Sequence, residues 1–319
     1  MLDLDIVIVN WNTGHQLRDC LPTISIASPP DAIHLQRCIV VDNASQDGSA
    51  DGFDDSSLSP LLIRNHENKG FACACNQGAG EGESEYILFL NPDSRLFPDS
   101  LMKALRFMEE KRSERIGILG IQLVDEKGVI QRNVARFPTP KSLLYQMLGL
   151  DHLWPGRFPS HFMTDWDHRD TREVDQVTGA FYLVRRRLFE ELQGFDEQFF
   201  MYFEELDFAF RAKQAGWKTY YLADAQALHY GGGASKQIIA KRLSYVLNSR
   251  VRYVAKHYGN RAAILILIAS FLVEFWARLG WSVIQLSWEN FIGTIQAYGM
   301  FLNSLPELLR NLGEQACVS

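Results

Sequence analysis

The sequence lacks three things that would have assigned it elsewhere: an excess of basic charge, a paired cysteine pattern, and an uninterrupted apolar run long enough to cross a bilayer. Its formal charge is −6 and its pI about 5.8. No bulk positive field is therefore available to gather a phosphate backbone along a groove, and nucleic acid is excluded as an expected partner. The five cysteines, Cys20, Cys38, Cys73, Cys75 and Cys317, are odd in number and contain no C-x-x-C pair. That excludes both a disulfide framework and a zinc site, and leaves free, mostly buried thiols as the expectation. His152, His161 and His168 also fall at no metal-ligand spacing. The start, Met1-Leu2-Asp3-Leu4-Asp5, is acidic and has no positive n-region or cleavage site. A cytosolic location is expected.

What is present is a chain of 319 residues, 47% of them hydrophobic, which can bury a full core as one large or two small domains. Leu4 to Asn10, Cys38 to Val41 and Tyr86 to Leu90 are short, almost wholly apolar, β-branched or aromatic runs separated by helix-length segments. That pattern predicts an α/β fold with a parallel sheet covered on both faces. Ligands of such sheets bind beyond the carboxyl ends of the strands. Those ends carry Asn10-Trp11-Asn12, Asp42-Asn43 and Asn91-Pro92-Asp93. From about Ile116 the pattern becomes mixed strands and turns, and the His-containing stretch 151–172 reads as a lid or acceptor loop. A helix is expected to begin near Glu204 and a last strand to run from Lys218 to Leu222, followed by His229 and Gly231-Gly232-Gly233.

Four groups of residues offer chemistry, each with a plain alternative. Asp93, behind Pro92 at a strand end, suits a hard cation that takes one or two carboxylates and leaves the rest of its shell to phosphate and water; Asn-Pro-Asp-Ser is equally good turn chemistry. Glu204, Asp207 and Arg211 share one helical face at i, i+3 and i+7, so Arg211 can pair with Asp207 while Glu205 points elsewhere. A carboxylate without an ion partner in aromatic surroundings has a raised pKa, as a general base needs, although an acidic first turn also complements a helix dipole. His229 can complete a cation's shell or contact a phosphate, or serve as a satisfied structural residue. Asn68-Lys69-Gly70-Phe71 is a glycine turn opening a helix, where backbone N–H groups can meet an anion.

Taken in order, Ile6 to Asn12, Val41 to Ser49, Asn68-Lys69-Gly70-Phe71 with Asn76, Asn91-Pro92-Asp93, Thr178-Gly179-Ala180, Gly194-Phe195-Asp196, the acidic cluster from Glu204, and His229 resemble the family-2 glycosyltransferases, in particular the rhamnosyltransferase-like branch. The resemblance covers about Leu4 to Gly259. It implies a GT-A type fold, a Rossmann-like mixed sheet flanked by helices, with 1–115 as the nucleotide-sugar-binding half, 116–235 as the acceptor-binding and catalytic half, and 236–319 as a C-terminal helical extension. It also implies donor contacts from Asn10, Asn12, Asp42, Asn43, Gly70, Phe71, Asn76 and Asn91, with Asp42 on the base. Asp93 and His229 would serve a Mg or Mn ion, Asn91 replacing the first Asp of the family's D-x-D motif. Glu205 matches the catalytic base, with Glu204 and Asp207 as lesser candidates.

The implied reaction is an inverting transfer from a nucleoside-diphosphate sugar, dTDP-rhamnose or a UDP-sugar, to a hydroxyl of a glycan or lipid-linked acceptor in cell-surface polysaccharide synthesis. The Gln-x-x-Arg-Trp motif of processive synthases is absent, which favours one addition per encounter. A nucleotidyltransferase lacks support from any glycine- and lysine-rich loop after the first strand, and a non-catalytic sugar-nucleotide-binding protein is the remaining alternative.

In the C-terminal region, Ala262 to Val273 holds twelve uncharged residues, short of the roughly twenty that span a bilayer, and Glu274 and Arg278 follow. With Trp276, Trp281, Trp288 and Arg261, the segment is expected to lie at the headgroup level on the inner face of the cell membrane. A buried helix or a homodimer contact is the alternative.

Overall fold

The computed structural model describes residues 2–52, 58–111, 114–231 and 239–316. Gly232, Gly233 and Cys317 lie outside them. The chain forms two compact units. The first comprises Met1–Phe137, Trp166–Glu197 and Glu204–Ala234, and the second Pro138–Asp165, Gln198–Phe203 and Ser235–Ser319.

The first unit begins with β1 (Leu2–Asn10), α1 (Gln16–Ala27), β2 (Ile33–Asp42), β3 (Leu61–Arg64), α2 (Phe71–Ala79), β4 (Tyr86–Leu90), β5 (Ser94–Leu96), α3 (Ser100–Glu110), β6 (Ile116–Val124) and β7 (Val134–Ala135). The chain leaves it for α4 (Pro140–Met147) and α5 (Leu150–Leu153) of the second unit. It returns with β8 (Arg172–Val174), β9 (Gln176–Val177), β10 (Phe181–Arg185), α6 (Arg186–Glu191), α7 (Glu204–Gln214) and β11 (Lys218–His229). Among the described residues the main sheet runs β3-β2-β1-β4-β10-β6-β11-β5, with β8 beside β11. The β3-β2-β1-β4 part is parallel, β10 enters antiparallel between β4 and β6, and β6 and β11 are again parallel. This is the mixed, helix-flanked sheet that the resemblance implied.

Strands buried on both faces explain the apolar runs: Tyr86 to Leu90 and Phe181 to Arg185 have no exposed residue. On one face Leu4, Ile6 and Ile8 meet Leu17, Leu21 and Ile24 of α1, and Leu101 and Leu105 of α3 join the same core. Each such side chain contributes about 1.5–3 kcal/mol on burial. On the other face α2 comes so close to β1 that a Cβ on Gly78 would stand 2.5 Å from Val7 Cγ1. Phe89 of β4 packs there against Phe195, which also meets Phe208, at centroid distances of 5.0 and 5.2 Å. That aromatic cluster fixes α7 to the sheet. Inside β1, Asp5 is fully buried because Arg186 Nη2 and the Ser84 amide donate to it at 2.9 and 2.8 Å.

Two local expectations are revised. The last strand does not stop at Leu222. A bulge between Leu222 and Gln226 lets it resume pairing and end on His229 itself. Cys20, Cys38 and Cys75 are buried free thiols as expected, whereas Cys73 is half-buried.

The second unit adds α8 (Ile239–Tyr258), α9 (Asn260–Ala269), a wide π turn (Ser270–Glu274), α10 (Phe275–Ile284) and α11 (Trp288–Ala316). The apolar stretch does not stop at Glu274: Asn260–Ile284 is one continuous helix, long and apolar enough by length and composition to cross a membrane. Its packed side holds Ala263, Ile266 and Glu274. Arg250 of α8 reaches Ser270 Oγ at 2.9 Å and Glu274 Oε2 at 2.5 Å, and Arg278 meets Glu274 Oε1 at 2.8 Å. The expected Glu274–Arg278 pair is therefore one half of a bridge whose other half comes from α8.

Candidate active site

β1 and β2 end in register at Asn10 and Asp42, which brings their polar terminal residues side by side. Asn10 Nδ2 lies 3.0 Å from Asp42 Oδ1, 3.1 Å from Ser45 Oγ and 2.9 Å from Ser49 Oγ. Asp42 Oδ2 accepts the Ser45 amide at 3.3 Å, and Asn12 Oδ1 accepts the Gln46 amide at 2.8 Å. Asn10, Asn12 and Asp42 thus share one network that folds the 43–49 loop over the strand ends. Asn43 extends it: its Nδ2 donates to Asn68 Oδ1 and the Gly70 carbonyl at 3.1 and 3.0 Å, and its Oδ1 accepts from Asn65 Nδ2 at 3.0 Å. That clamp sets the Asn68–Gly70 turn from which Phe71 opens α2. Asn76, one turn on, fastens a different segment. Its amide exchanges hydrogen bonds with the Phe195 backbone at 2.8 and 2.9 Å and donates to Glu197 at 3.0 Å.

β4 ends beside the start of β10, and Asn91 donates its amide to the Ala180 carbonyl at 3.2 Å. Three residues on, β5 pairs with β11 so that Ser94 opposes His229. Asp93 Oδ1 and His229 Nε2 then face each other at 3.4 Å. Gln131 decides which ring nitrogen carries the proton. Its Nε2 donates to the His229 carbonyl at 2.6 Å, which turns its Oε1 to accept from His229 Nδ1 at 2.9 Å. Nε2 is thereby left facing the Asp93 carboxylate oxygen, a nitrogen and an oxygen that could share a proton or a bound cation. Among the described residues no group of three or more His, Cys, Asp or Glu side chains gathers around a common point. Asp93 and His229 could offer two ligating atoms, enough for a cation that would take the rest of its shell from a diphosphate.

The acidic cluster lies at the N-terminus of α7. Its approach is strained, since Tyr202 and Phe203 have φ of 68° and 74°, a left-handed pair of bulky residues of the kind that persists at functional sites. Glu204 is buried, and Glu205 accepts a hydrogen bond from the Gly179 amide and another from Glu204. Burial pushes the Glu204 carboxyl well above the ordinary glutamate range, and the adjacent Glu205 charge raises it further. Burial raises Glu205 as well, but the hydrogen bonds it accepts hold it lower than its neighbour. Of the pair, the Glu204 carboxyl is raised further than that of Glu205. Asp207 is committed otherwise: Arg211 Nε binds its Oδ2 at 2.7 Å while the same guanidinium holds the Leu192 and Gly194 carbonyls.

Gly179 precedes Ala180, whose carbonyl accepts from both Asn91 and Ser94, so the backbone that Glu205 approaches adjoins the end of β4. The sequence-predicted residues thus gather as a strand-end network, the Asp93–His229 pair and the Glu204–Glu205 cluster, all in the first unit. Asn76 and Asp207 are placed as fasteners. Gln131 carried no signal, because it lies in an irregular stretch with no period to mark it.

The model of the family described as "Glycosyl transferase family 2" matches residues 5–193. The rhamnosyltransferase WbbL of Escherichia coli is 30% identical over 175 residues, covering 54% of this chain and 63% of that protein. The N-acetylglucosaminyl-diphospho-decaprenol L-rhamnosyltransferase of Mycobacterium tuberculosis is 26% identical over 270 residues, 81% of this chain and 85% of that one. Among solved structures, the mannosyltransferase PcManGT from Pyrobaculum calidifontis in complex with GDP-Man and Mn2+ superposes with a TM-score of 0.52 at 14% identity, over 99% of this chain and 79% of that chain. That likeness is one of fold, and it agrees with the GT-A arrangement. A family match running through more than half of the chain, across the strand ends that gather these residues, makes this protein a member of glycosyl transferase family 2.

Proposed function

We propose that the protein is an inverting glycosyltransferase that moves one sugar from a nucleoside-diphosphate donor, with dTDP-rhamnose first and UDP-sugars next, to a hydroxyl of a glycan or lipid-linked acceptor in cell-surface polysaccharide synthesis. The similarity to rhamnosyltransferases, one of them acting on a diphospho-decaprenol acceptor by its name, supports that donor and acceptor class. Residues 1–115 form the donor half and 116–235 the acceptor half, the 138–165 and 198–203 pieces of the latter belonging to the second unit. What supports the reading is the Asp93–His229 pair facing across 3.4 Å, together with the half-buried Glu205 in the first turn of α7.

Asn10, Asn12, Asp42 and Asn43 line the nucleoside side, with Asp42 accepting from the base, and the Gly70–Phe71 turn borders the diphosphate. Asp93 and His229 would hold a Mg or Mn ion, which when bound neutralises the charge of the departing diphosphate. Glu205 takes the proton of the acceptor hydroxyl as the new bond from that oxygen to the anomeric carbon forms and the bond to the diphosphate breaks on the opposite side. Configuration at the anomeric carbon is inverted. Glu204, protonated, donates to Glu205 and keeps it oriented. The C-terminal helices make peripheral contact with the inner face of the cell membrane, homodimerisation being the competing use of that surface.

A thermal-shift series with dTDP-rhamnose, UDP-sugars and GDP-sugars, with and without Mn2+, tests this. A donor at about a hundred times its Kd adds nearly 3 kcal/mol, so the right one gives a clear, metal-dependent rise. Turnover must release a nucleoside diphosphate. Release of pyrophosphate, or no shift with any donor, overturns the proposal.

A further inference from the structure

The second unit contains two apolar surfaces from distant parts of the chain. One lies along the continuous helix, where Ile264, Ile268, Leu272 and Trp276 recur every four residues and are exposed, Leu272 by 70% and Trp276 by 65%. The other is the segment after α4, where Trp154 and Phe162 are exposed by 59% and 50%. Local structure ties the two together. α4 packs on α9 and the π turn, and His161, its ring tilted against that of Phe162 at 3.9 Å, lies within the field of both Asp151 and Arg250. Arg250 in turn holds Ser270 and Glu274 of the helix. The only acid within the helix is thereby turned inward, and the outward stripe carries no negative charge among its apolar residues.

Charge separates this unit from the rest of the chain. Its three segments hold eleven Lys and Arg against six Asp and Glu, a net charge of +5, so the first unit carries −11 of the total of −6. Arg157 in the loop piece and Lys241, Arg242 and Arg261 on the helices are exposed. A protein partner would be met by apolar contact alone, but a surface that joins tryptophans, aliphatic residues and surplus basic charge has the composition of an interfacial lipid contact. One side of the helix is packed against protein and the other is apolar, the arrangement of a helix lying along an interface.

We propose that the second unit is a two-part docking surface for anionic bilayers, in which the Trp154–Phe162 loop inserts beside the Ile264–Trp276 stripe and the basic residues engage acidic headgroups. The proposal rests on the membrane contact stated above and deepens it by naming a second inserting element and the lipid charge. It also assigns the 151–165 part of the expected acceptor loop to lipid.

The test is co-sedimentation of the full chain with phosphatidylcholine vesicles, with and without about one third phosphatidylglycerol, at low and high salt. The expected result is binding to the anionic vesicles that weakens with salt and by roughly fivefold for each basic residue removed in Arg157→Gln and Arg261→Gln. Leu272→Glu with Trp276→Glu, and separately Trp154→Glu with Phe162→Glu, should each reduce binding at least about tenfold. Donor-induced thermal stabilisation, retained in every variant, certifies that the first unit is folded, and far-ultraviolet circular dichroism does so for the helices. Wild-type binding by the loop variant overturns the two-part surface, and equal binding to neutral vesicles overturns the charge assignment. Failure to bind any vesicle while donor stabilisation persists overturns membrane contact itself and leaves the glycosyltransferase reading standing. A stable dimer dispersed by Leu272→Glu would reassign the stripe to self-association.

Discussion

Replacing Glu205 by glutamine removes the proposed proton acceptor while keeping the side chain's length, volume and one carbonyl oxygen for the Gly179 amide. Loss of a positioned general base lowers the rate by about 10²–10⁴-fold, roughly 3–5 kcal/mol of barrier. Stability should move the other way. Burial raises the Glu205 pKa in the fold above its unfolded value, so this group contributes stability below the ordinary glutamate pKa and loses it as pH rises through the raised value. Above the raised value the ionised carboxylate is a cost that glutamine does not carry, and there the variant's melting temperature should equal or exceed that of the parent. The assay is initial rate of nucleoside diphosphate release from pH 5 to 9, beside a melting curve at each pH. In the parent, kcat falls on the acid side as Glu205 takes up a proton, and that limb should vanish in Glu205→Gln. A kcat within about twofold of the parent, or a fall in activity matched by a fall in melting temperature, would refute the assignment, since the first leaves no base to lose and the second describes a structural residue.

Gln131→Ala frees the His229 ring to choose the other tautomer and should weaken Mn2+ binding about 10–100-fold, read by metal titration of the donor-induced thermal shift; an unchanged midpoint would mean that His229 does not serve the cation. Arg186→Met leaves Asp5 charged and unpaired inside β1 and should cost about 3–5 kcal/mol in urea unfolding, whereas a loss under about 1 kcal/mol would place water at Asp5. Gly194→Ala must accept a φ of 73° and a Cβ 2.6 Å from Asn76 Oδ1; it should lose about 1–3 kcal/mol and loosen the Asn76–Phe195 clamp, and an unaltered melting temperature would contradict the clamp.

The sheet edge was legible because apolar strands that stop abruptly on polar residues mark both a buried sheet and its carboxyl end. Asn10, Asp42 and Asn91 needed no more than that, and the Asp207–Arg211 pair followed from helical spacing. Contacts that join distant segments were not legible. Gln131 reaches His229 from 98 residues away in a stretch without period, and Arg250 reaches Glu274 from another helix. The last strand reads as ending at Leu222, and only the bulge before Gln226 explains how pairing resumes beyond it. The packing of the 138–165 stretch with the C-terminal helices likewise leaves no local mark, because its sequence reports polarity and turns but not what it rests on.

The wide turn at Ser270–Glu274 has a geometric effect out of proportion to its size. Each helical residue advances the side chains by about 100°, and a turn closing on the fifth residue instead of the fourth absorbs one such step without breaking the rod. Everything after it is rephased, so Glu274 arrives opposite Arg250 and Trp276 emerges on the outside. Removing a single residue at that point would leave an ordinary turn with the downstream side chains still facing as they do, whereas removing one elsewhere in the rod would swing them by nearly a third of a revolution.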